Sequence, residues 1–334
     1  MNLHLAVKNI LSKVYKLGIK KSLRYCALKV DLGVTRAGLC NKLHNLFSAC
    51  DIALKQGLFI VEPEFGWKYK IRFSDIFDLH NFNLVMSKYN NGKCLIVDNS
   101  QVSEKDSISL KDLNIKNNLW NYSEKELSKE RRTGVIRAES TKFKVLEALK
   151  LKPEYENIVK NYVSDGLDVA IQVRTESDWK KYAENKKISD SKESVYVSLD
   201  KLVSMVSSVC KPGNAFFTSG ENHQEIVNTF SNHKFNVSYF FDPGLEYEIN
   251  AAINFEICAQ ADMFIGNSRS SYSNLISLKR AFHLKNDNSF IYNYGDRIHR
   301  RVDKGIQPAA YLSISKKTEI INGLCDSWQL QNLG

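Results

Sequence analysis

Arg174 stands where an apolar segment meets a polar one, a position that suits a ligand of phosphate. Residues 168–173 form a strand pattern that is apolar from Val169 onward except for Gln172, and Arg174 follows directly. An arginine at the exit of a buried strand can hold a diphosphate with parallel hydrogen bonds and stabilise charge on a departing nucleotide. The alternative is a structural arginine that pairs with Glu176 or Asp178. This segment alone leaves both uses open.

A second segment combines a glycine with several hydroxyl groups. The strand candidate Met263–Ile265 runs into Gly266 and then into a hydroxyl-rich helix start. Free backbone N–H groups at a helix start, together with serine hydroxyls, bind anions. Ordinary capping of the helix by serine is the alternative. Asn267, Ser270, Ser271 and Tyr272 are the candidate nucleotide-binding residues of this segment.

A third segment, around Gly38 and Asn41, carries a weaker signal. Gly38 precedes a helix pattern, so the backbone could approach a ligand closely there. A single glycine falls short of the three-glycine fingerprint of dinucleotide-binding proteins, which argues against a nicotinamide enzyme. Both residues are candidate nucleotide-binding residues.

A base that takes the proton from a reacting hydroxyl is usually a carboxylate within hydrogen-bond reach. Glu64 and Asp178 are our candidates, with Glu62 and Glu176 as further carboxylates near predicted strand ends. Each of them could equally be a surface or helix-capping carboxylate. Two tryptophans could stack on a sugar or pack in the core, namely Trp67 and Trp179.

Strand and helix patterns alternate in both halves of the chain. The N-terminal half has a helix pattern over residues 41–55 and a largely irregular polar region between residues 88 and 130. A single amphipathic helix is predicted over 142–163. The predicted strands of this half are Ala27–Val30, Leu58–Val61 and Cys94–Val97.

In the C-terminal half, strand patterns again alternate with helix patterns, which predicts a parallel, doubly wound sheet. Ligands of such sheets lie beyond the carboxyl ends of the strands, where Arg174 and the Gly266 turn fall. A further helix follows that turn. The other predicted elements are strands 168–173, 215–218, 237–241 and 263–265, with helices over 224–230 and 246–261.

Chain length and composition favour two compact domains. The chain has 334 residues, and domains commonly hold roughly 150 each. We expect an N-terminal lobe over 1–160, a C-terminal ligand-binding lobe over 161–315 and a tail or helix over 316–334.

The net charge of +10 permits nucleic acid, anionic lipid or nucleotide phosphates as partners. Nucleic acid is set aside, because no finger, helix-turn-helix or aromatic-basic sheet pattern is present. Residues 1–30 hold seven basic residues and no acidic one, with apolar residues at helical spacing. This basic amphipathic helix either contacts an anionic membrane surface or packs on its own lobe. Lysines interrupt it too often for a secretory signal.

The seven cysteines are scattered and include no C-x-x-C pair, so neither a zinc site nor a disulfide framework is predicted. We therefore expect a cytoplasmic protein, with contact to the inner membrane face as an option, and no metal ligands.

Together the three segments resemble the GDP-fucose protein O-fucosyltransferase family and its relatives among the fucosyltransferases. Gln172-Val173-Arg174 and Ser177-Asp178-Trp179 look like the family's His-Leu-Arg motif and its following Ser-Asp-Trp. The stretch from residue 261 to Tyr272 resembles one that ends in Ser-Ser-Phe, and the turn up to Asn41 resembles an N-terminal Gly-rich turn. Order and spacing agree over roughly residues 34–285.

The resemblance implies an inverting transferase of the GT-B type, an α/β protein with two Rossmann-like domains facing across a cleft. The donor would bind the C-terminal lobe and the acceptor the N-terminal lobe, with no metal and no cofactor. GDP-fucose is the leading candidate donor. By the same resemblance, Arg174 contacts the diphosphate, and Ser270, Ser271 and Tyr272 contact phosphate and base.

Two positions depart from the family pattern. The family histidine is Gln172 here, which cannot titrate near neutral pH. The family aspartate that accepts from the N–H edge of guanine is Asn254 here, and an amide carries one acceptor and one donor group. The donor base and sugar therefore stay open at this stage.

The leading hypothesis is a transferase that adds a sugar, with fucose first, to a glycan or lipid-linked glycan during surface-polysaccharide assembly. A protein hydroxyl is an alternative acceptor. A further alternative is a catalytically inactive relative that only binds glycans or nucleotides, which Gln172 and Asn254 would fit.

Overall fold

The computed structural model describes residues 26–32, 38–66, 70–113, 119, 141–185 and 194–301. These residues divide into two compact α/β units. The N-terminal unit contains the described residues up to Lys152, and the C-terminal unit begins at Pro153. Residues 1–25 of the basic segment 1–30 and the tail 316–334 lie outside the described residues, so the predictions of an amphipathic helix and of a tail stay predictions.

A parallel sheet of short strands lies in the N-terminal unit. Its order is β3-β2-β1-β4 among the described residues. β4 falls in the polar region for which irregular structure was predicted, and that prediction was wrong here because two residues are too few to show a strand period. The strands are β1 (Ala27–Leu28), β2 (Phe59–Val61), β3 (Ile96–Val97) and β4 (Ser107–Ile108).

The helices of this unit are α1 (Leu39–Gln56), α2 (Phe73–Ile76), α3 (Leu79–Ser87) and α4 (Thr141–Ala148). α1 follows the predicted apolar spacing and buries Leu43, Leu46 and Phe47. It ends at Gly57, whose φ of 65° is a left-handed conformation that glycine adopts without strain.

The predicted single helix over 142–163 is two helices, α4 and α5 (Pro153–Val163). The residues between them are extended, and Leu151 pairs with Phe77 in an antiparallel bridge. Pro153 disfavours a helical conformation in the residue before it, and the bridge supplies partners for the extended backbone. The predicted lobe boundary at residue 160 falls inside α5, whereas the two units divide before Pro153.

The sheet of the C-terminal unit has the order β7-β6-β5-β8-β9-β10 among the described residues. All pairs are parallel except β9 with β10. Counted within the unit, the parallel strands run 3-2-1-4-5, as expected for a Rossmann-like domain. The strands are β5 (Val169–Gln172), β6 (Asn214–Thr218), β7 (Asn236–Ser238), β8 (Met263–Gly266), β9 (Ser289–Ile291) and β10 (His299–Arg301).

Helices flank this sheet, and β9, β10 and the first two of these helices were not predicted. The helices are α6 (Ser177–Glu184), α7 (Leu199–Val209), α8 (His223–Asn232), α9 (Tyr247–Gln260) and α10 (Ser271–Phe282). In the part of the chain that the structure describes, no helix is long and apolar enough to cross a membrane.

Arg280 ties α9, β8 and α10 together. Its buried guanidinium donates hydrogen bonds to the carbonyl oxygens of Ala259 (2.8 Å), Ala261 and Asp262 (2.9 Å). The end of α9 thus receives donors for carbonyls that lack partners within the helix. Burial lowers the pKa of Arg280 to about 10, so the side chain stays charged at neutral pH.

Candidate active site

The order of the C-terminal sheet places a topological switch point between β5 and β8. The connections leave these neighbouring strands toward opposite sides of the sheet, which opens a crevice beyond their carboxyl ends. Arg174 follows β5, and the Gly266 turn follows β8. Two of the segments singled out by the sequence therefore meet at the place where such sheets bind ligands.

Gly266 allows the start of α10 to approach β8 closely. A Cβ atom added at Gly266 would lie 2.3 Å from Ser273 Oγ and 2.6 Å from Ser273 Cβ. Real Cβ atoms do not come so near to other heavy atoms, so only glycine fits. The missing side chain brings the first turn of α10 directly over the end of the strand.

Asn267 is fully buried beneath this turn. Its Oδ1 accepts from the backbone N–H of Arg269 (3.0 Å), and its Nδ2 donates to the carbonyl of Val195 (3.3 Å). Both ends of the amide are thus bound within the protein. This arrangement indicates a residue that shapes the turn, and the nucleotide contact predicted for it stays a prediction.

The start of α10 is open. Ser270 occupies the N-cap position, but its side chain makes no capping hydrogen bond to the helix. Its Oγ instead accepts from Nε2 of Gln172 at 3.0 Å. The N–H groups of the first turn carry the positive end of the helix dipole, and no serine cap occupies them. The ordinary capping that the sequence left as an alternative is absent here.

The neighbours of Ser270 differ in their surroundings. Ser271 is half-buried at the first position of α10. The Tyr272 hydroxyl donates to the carbonyl of Ala251 at 3.0 Å, and its ring packs edge-on against Phe255 at 5.6 Å. Tyr272 therefore joins α10 to α9, which carries Asn254.

Arg174 is held from two sides. Its Nε lies 3.3 Å from Oε2 of Glu176, and its guanidinium carbon lies 4.2 Å from the centroid of the Trp179 ring. The contact with Glu176 is an ion pair that is not aligned as a hydrogen bond. Cation–π contact and ion pairing together fix the guanidinium. Among the described residues, neither terminal nitrogen makes a hydrogen bond, so the fork is left for a ligand.

The groups that hold Arg174 are themselves fixed. Glu176 is buried, and its Oε1 accepts from the backbone N–H of Gly220 at 3.1 Å. The indole N–H of Trp179 donates to the carbonyl of Val195 at 2.9 Å, and the ring stacks on Tyr182. Trp179 is thus a buried support for Arg174 rather than an exposed platform for a sugar. Trp67 lies outside the described residues.

Asn254 lies on α9 with a fixed amide. Its Nδ2 donates to the carbonyl oxygens of Phe240 (3.0 Å) and Asn250 (2.7 Å). Its buried Oδ1 has no hydrogen-bond partner among the described residues. An unpartnered buried acceptor is costly, and a ligand N–H group would relieve that cost.

The two candidate bases lie in different units. Asp178 is exposed in the first turn of α6 and makes no hydrogen bond or ion pair among the described residues. Glu64 is half-buried in the N-terminal unit, where its backbone bridges Asp31 and Arg72. Glu62 accepts from the backbone N–H of Ser74 (2.8 Å) and so caps α2.

Gly38 and Asn41 are at the start of α1 in the N-terminal unit. Gly38 is the N-cap residue in extended conformation, and its carbonyl accepts from the backbone N–H of Asn41 at 3.0 Å. Oδ1 of Asn41 is buried without a hydrogen-bond partner among the described residues. Like Asn254, it is an unoccupied amide acceptor in its own unit.

A family model described as GDP-fucose protein O-fucosyltransferase matches residues 77–283, which is more than half of the chain. The chain belongs to this family. The match includes Arg174 and Asn254, whereas Gly38, Asn41 and Glu64 precede it. The family predicted from the sequence motifs is thereby confirmed.

Individual relatives of this fucosyltransferase-family chain agree. O-fucosyltransferase 23 of Arabidopsis thaliana is 31% identical over 130 residues, which are 34% of this chain and 29% of that protein. The chain thus matches less than a third of the length of this curated relative.

Solved structures share the fold. POFUT1 in complex with GDP has a TM-score of 0.53 and 14% identity over 79% of this chain and 96% of that chain. POFUT1 in complex with GDP-fucose has a TM-score of 0.51 and 13% identity over 79% and 97%. These similarities confirm the predicted α/β fold of the GT-B type with two Rossmann-like domains.

The sequence did not indicate two buried residues beneath the turn between β8 and α10, Tyr292 and Asn293. Asn293 Oδ1 accepts from the backbone N–H of Ser268 at 2.9 Å, and the Tyr292 hydroxyl accepts from Nδ2 of Asn267 at 3.5 Å. Burial raises the pKa of Tyr292, so its hydroxyl stays protonated. Both residues follow β9, whose three-residue apolar run gave too short a pattern to predict.

Proposed function

We propose that this chain transfers fucose from GDP-fucose to an acceptor hydroxyl, with inversion at the sugar and without a divalent metal. The observation that carries the proposal is the meeting of Arg174 with the open start of α10 at the switch point. A departing diphosphate gains negative charge, and a preorganised guanidinium with helix N–H groups stabilises that charge in place. No metal is needed for this part of the chemistry.

The fixed amide of Asn254 supports guanine as the base. Because Nδ2 is bound to two backbone carbonyls, Asn254 can offer a ligand only its acceptor oxygen. It therefore acts toward the ligand as the family aspartate would. Guanine carries adjacent N–H donors on one edge, which such an acceptor can bind. The departure from the family pattern is thus compatible with a GDP-linked donor.

The acceptor and its base are further parts of the proposal. We propose a glycan or lipid-linked glycan hydroxyl in surface-polysaccharide assembly, with Asp178 or Glu64 as the base. Every cysteine that the structure describes is a free thiol, which supports a reducing cytoplasm. A protein hydroxyl is the second candidate, because the family description names protein O-fucosyltransferases.

The first test is binding of GDP, UDP, CDP and ADP, measured by thermal shift and calorimetry with and without EDTA. Ligand binding to the native state raises its unfolding temperature, so the selected base can be read directly. We expect only GDP to raise the unfolding temperature, and we expect the same increase with and without EDTA. Preference for another base would reassign the donor, and no response to any of them would favour the inactive relative.

The second test is transfer from GDP-fucose to panels of oligosaccharides and of Ser/Thr peptides, followed by GDP release and mass spectrometry. Fucosylated oligosaccharide supports the proposed acceptor, whereas fucosylated peptide alone replaces it with the protein hydroxyl. NMR of the product linkage reports inversion. Binding of GDP without turnover on either panel would contradict the transferase activity.

A further inference from the structure

Gln172 ends β5 with a buried side chain that lies between two serines of the α10 segment. Its Nε2 donates to Ser270 Oγ at 3.0 Å, and its Oε1 accepts from the hydroxyl of Ser273. Only 5% of the residue is exposed. The amide therefore joins the end of one switch-point strand to the turn that follows the other.

A backbone group sets the direction of these hydrogen bonds. The N–H of Asn267 donates to Ser273 Oγ at 3.0 Å. Ser273 then uses its own hydrogen toward Oε1 of Gln172, and the amide presents its N–H group to Ser270. Because a backbone N–H can only donate, the chain runs in one direction, and each bond polarises the next.

Ser270 is the last member of this chain. Its Oγ accepts from Gln172 and makes no capping bond to α10, so its own hydrogen is directed away from both. We infer that Gln172 is a positioning residue that fixes Ser270 as a hydrogen-bond donor to the diphosphate of the ligand. This inference rests on the proposed function and adds a residue that does not touch the donor itself.

An amide suits this role because its polarity does not depend on pH. A carboxylate at the same place could only accept, so both serines would turn their hydrogens toward it, and Ser270 would present lone pairs to the phosphate. A protonated carboxyl has one donor and one acceptor oxygen and would restore the original direction. The variant Gln172→Glu therefore converts the hydrogen-bond direction into a pH-dependent property.

The experiment is calorimetric binding of GDP and of inorganic pyrophosphate to the full chain and to Gln172→Glu, between about pH 5.5 and pH 8. At high pH we expect the variant to bind about tenfold to a hundredfold more weakly, the usual value of a hydrogen bond to a charged group. The difference should shrink as pH falls through the raised pKa of the buried carboxyl. The terminal phosphate of the ligand also titrates near pH 6. This protonation changes the affinity of both proteins and therefore cancels in the ratio of their affinities.

Gln224→Glu is the matched control, because it adds the same charge to exposed α8 of the same unit. Its affinity ratio to the unaltered chain should stay near one at every pH. A Gln172→Glu ratio that does not change with pH would overturn the inference. Because a raised carboxyl pKa also makes the stability of the variant depend on pH, its unfolding temperature without ligand is measured at each pH, and affinities are compared only where the variant is fully folded.

A double-mutant cycle gives a second, independent measurement. If Gln172 acts through Ser270, then Gln172→Met should weaken pyrophosphate binding in the unaltered chain and have little further effect in Ser270→Ala. Additive losses would mean that Gln172 does not act through Ser270. Retained pyrophosphate binding without GDP binding would contradict only the proposed donor, whereas failure of the unaltered chain to bind either ligand would contradict both proposals.

Discussion

In the part of the chain that the structure describes, the N-cap residues of α1 and α10 make no side-chain capping hydrogen bond, and the reason differs between the two α/β units. At α1 the N-cap residue is Gly38, which has no side chain to cap with. At α10 the N-cap residue is Ser270, whose hydroxyl is held away from the helix by Gln172. The first end lacks a cap, and the second has a cap that is used elsewhere.

The difference decides what each end can offer a ligand. At α10 the diverted hydroxyl adds a donor beside first-turn N–H groups that the Ser270 side chain does not cap, and the fork of Arg174 lies beyond the neighbouring strand. In the first turn of α1, the cation of Lys42 is buried and donates to the carbonyl of Phe65. The C-terminal unit is therefore better equipped for a diphosphate.

The largest expected effect concerns which unit supplies the base. Asp178→Asn and Glu64→Gln each remove one carboxylate with little change of shape. We expect one of them to lower kcat by about a hundredfold to ten thousandfold, the usual contribution of a general base. The pH profile of kcat should lose its acidic limb in that variant only. Full rates in both would exclude the two carboxylates as bases.

Replacement of Arg174 tests the assignment of the diphosphate to the C-terminal unit. Arg174→Ala should lower kcat by about a hundredfold to a thousandfold, because a preorganised charge contact to the leaving group is lost. Arg174→Lys should recover only part of the rate, since lysine lacks the fork. The exposed Arg297→Ala is the control for loss of a positive charge. A near-normal rate of Arg174→Ala would remove this residue from the mechanism.

The close approach of α10 to β8 predicts a loss of stability in Gly266→Ala. The added Cβ atom would meet Ser273 at 2.3 Å, and such overpacking costs about 1–3 kcal/mol or more. Gly220→Ala is the matched control, because its Cβ atom would lie at an ordinary 3.6 Å from Glu176. Urea denaturation measures both. Equal stability of the two variants would contradict the tight turn.

The smallest effect comes from giving α1 the cap that it lacks. Gly38→Ser should raise the free energy of unfolding by a few tenths of a kcal/mol. If Gly38 contacts the donor nucleotide, as predicted from the sequence, the new hydroxyl should also raise the donor KM about threefold to tenfold, because it occupies first-turn N–H groups. Gly38→Ala is the control, because alanine adds a Cβ atom without a hydroxyl that could cap the helix. An unchanged KM in both variants would leave donor binding to the C-terminal unit alone.

Several elements could be predicted because their signals are local. The apolar runs at β5 and β8 and the spacing within α1 each lie in one short stretch of chain. The break between α4 and α5 was missed although Pro153 marks it, because the extended residues there are stabilised by Phe77, far away in sequence. β9 and β10 were missed because three residues show no reliable period.

The residue types at the switch point were determined by the sequence alone: an arginine after one strand, and a glycine and serines after another, are suited to bind an anion wherever they meet. The tertiary structure decided how each side chain is used. It paired Arg174 with Glu176 rather than Asp178, buried Asn267 beneath the turn and directed Ser270 toward Gln172 instead of its own helix. Gln172 and Ser270 are 98 positions apart, and a hydrogen bond over that separation exists only once the parallel sheet has placed β5 beside β8.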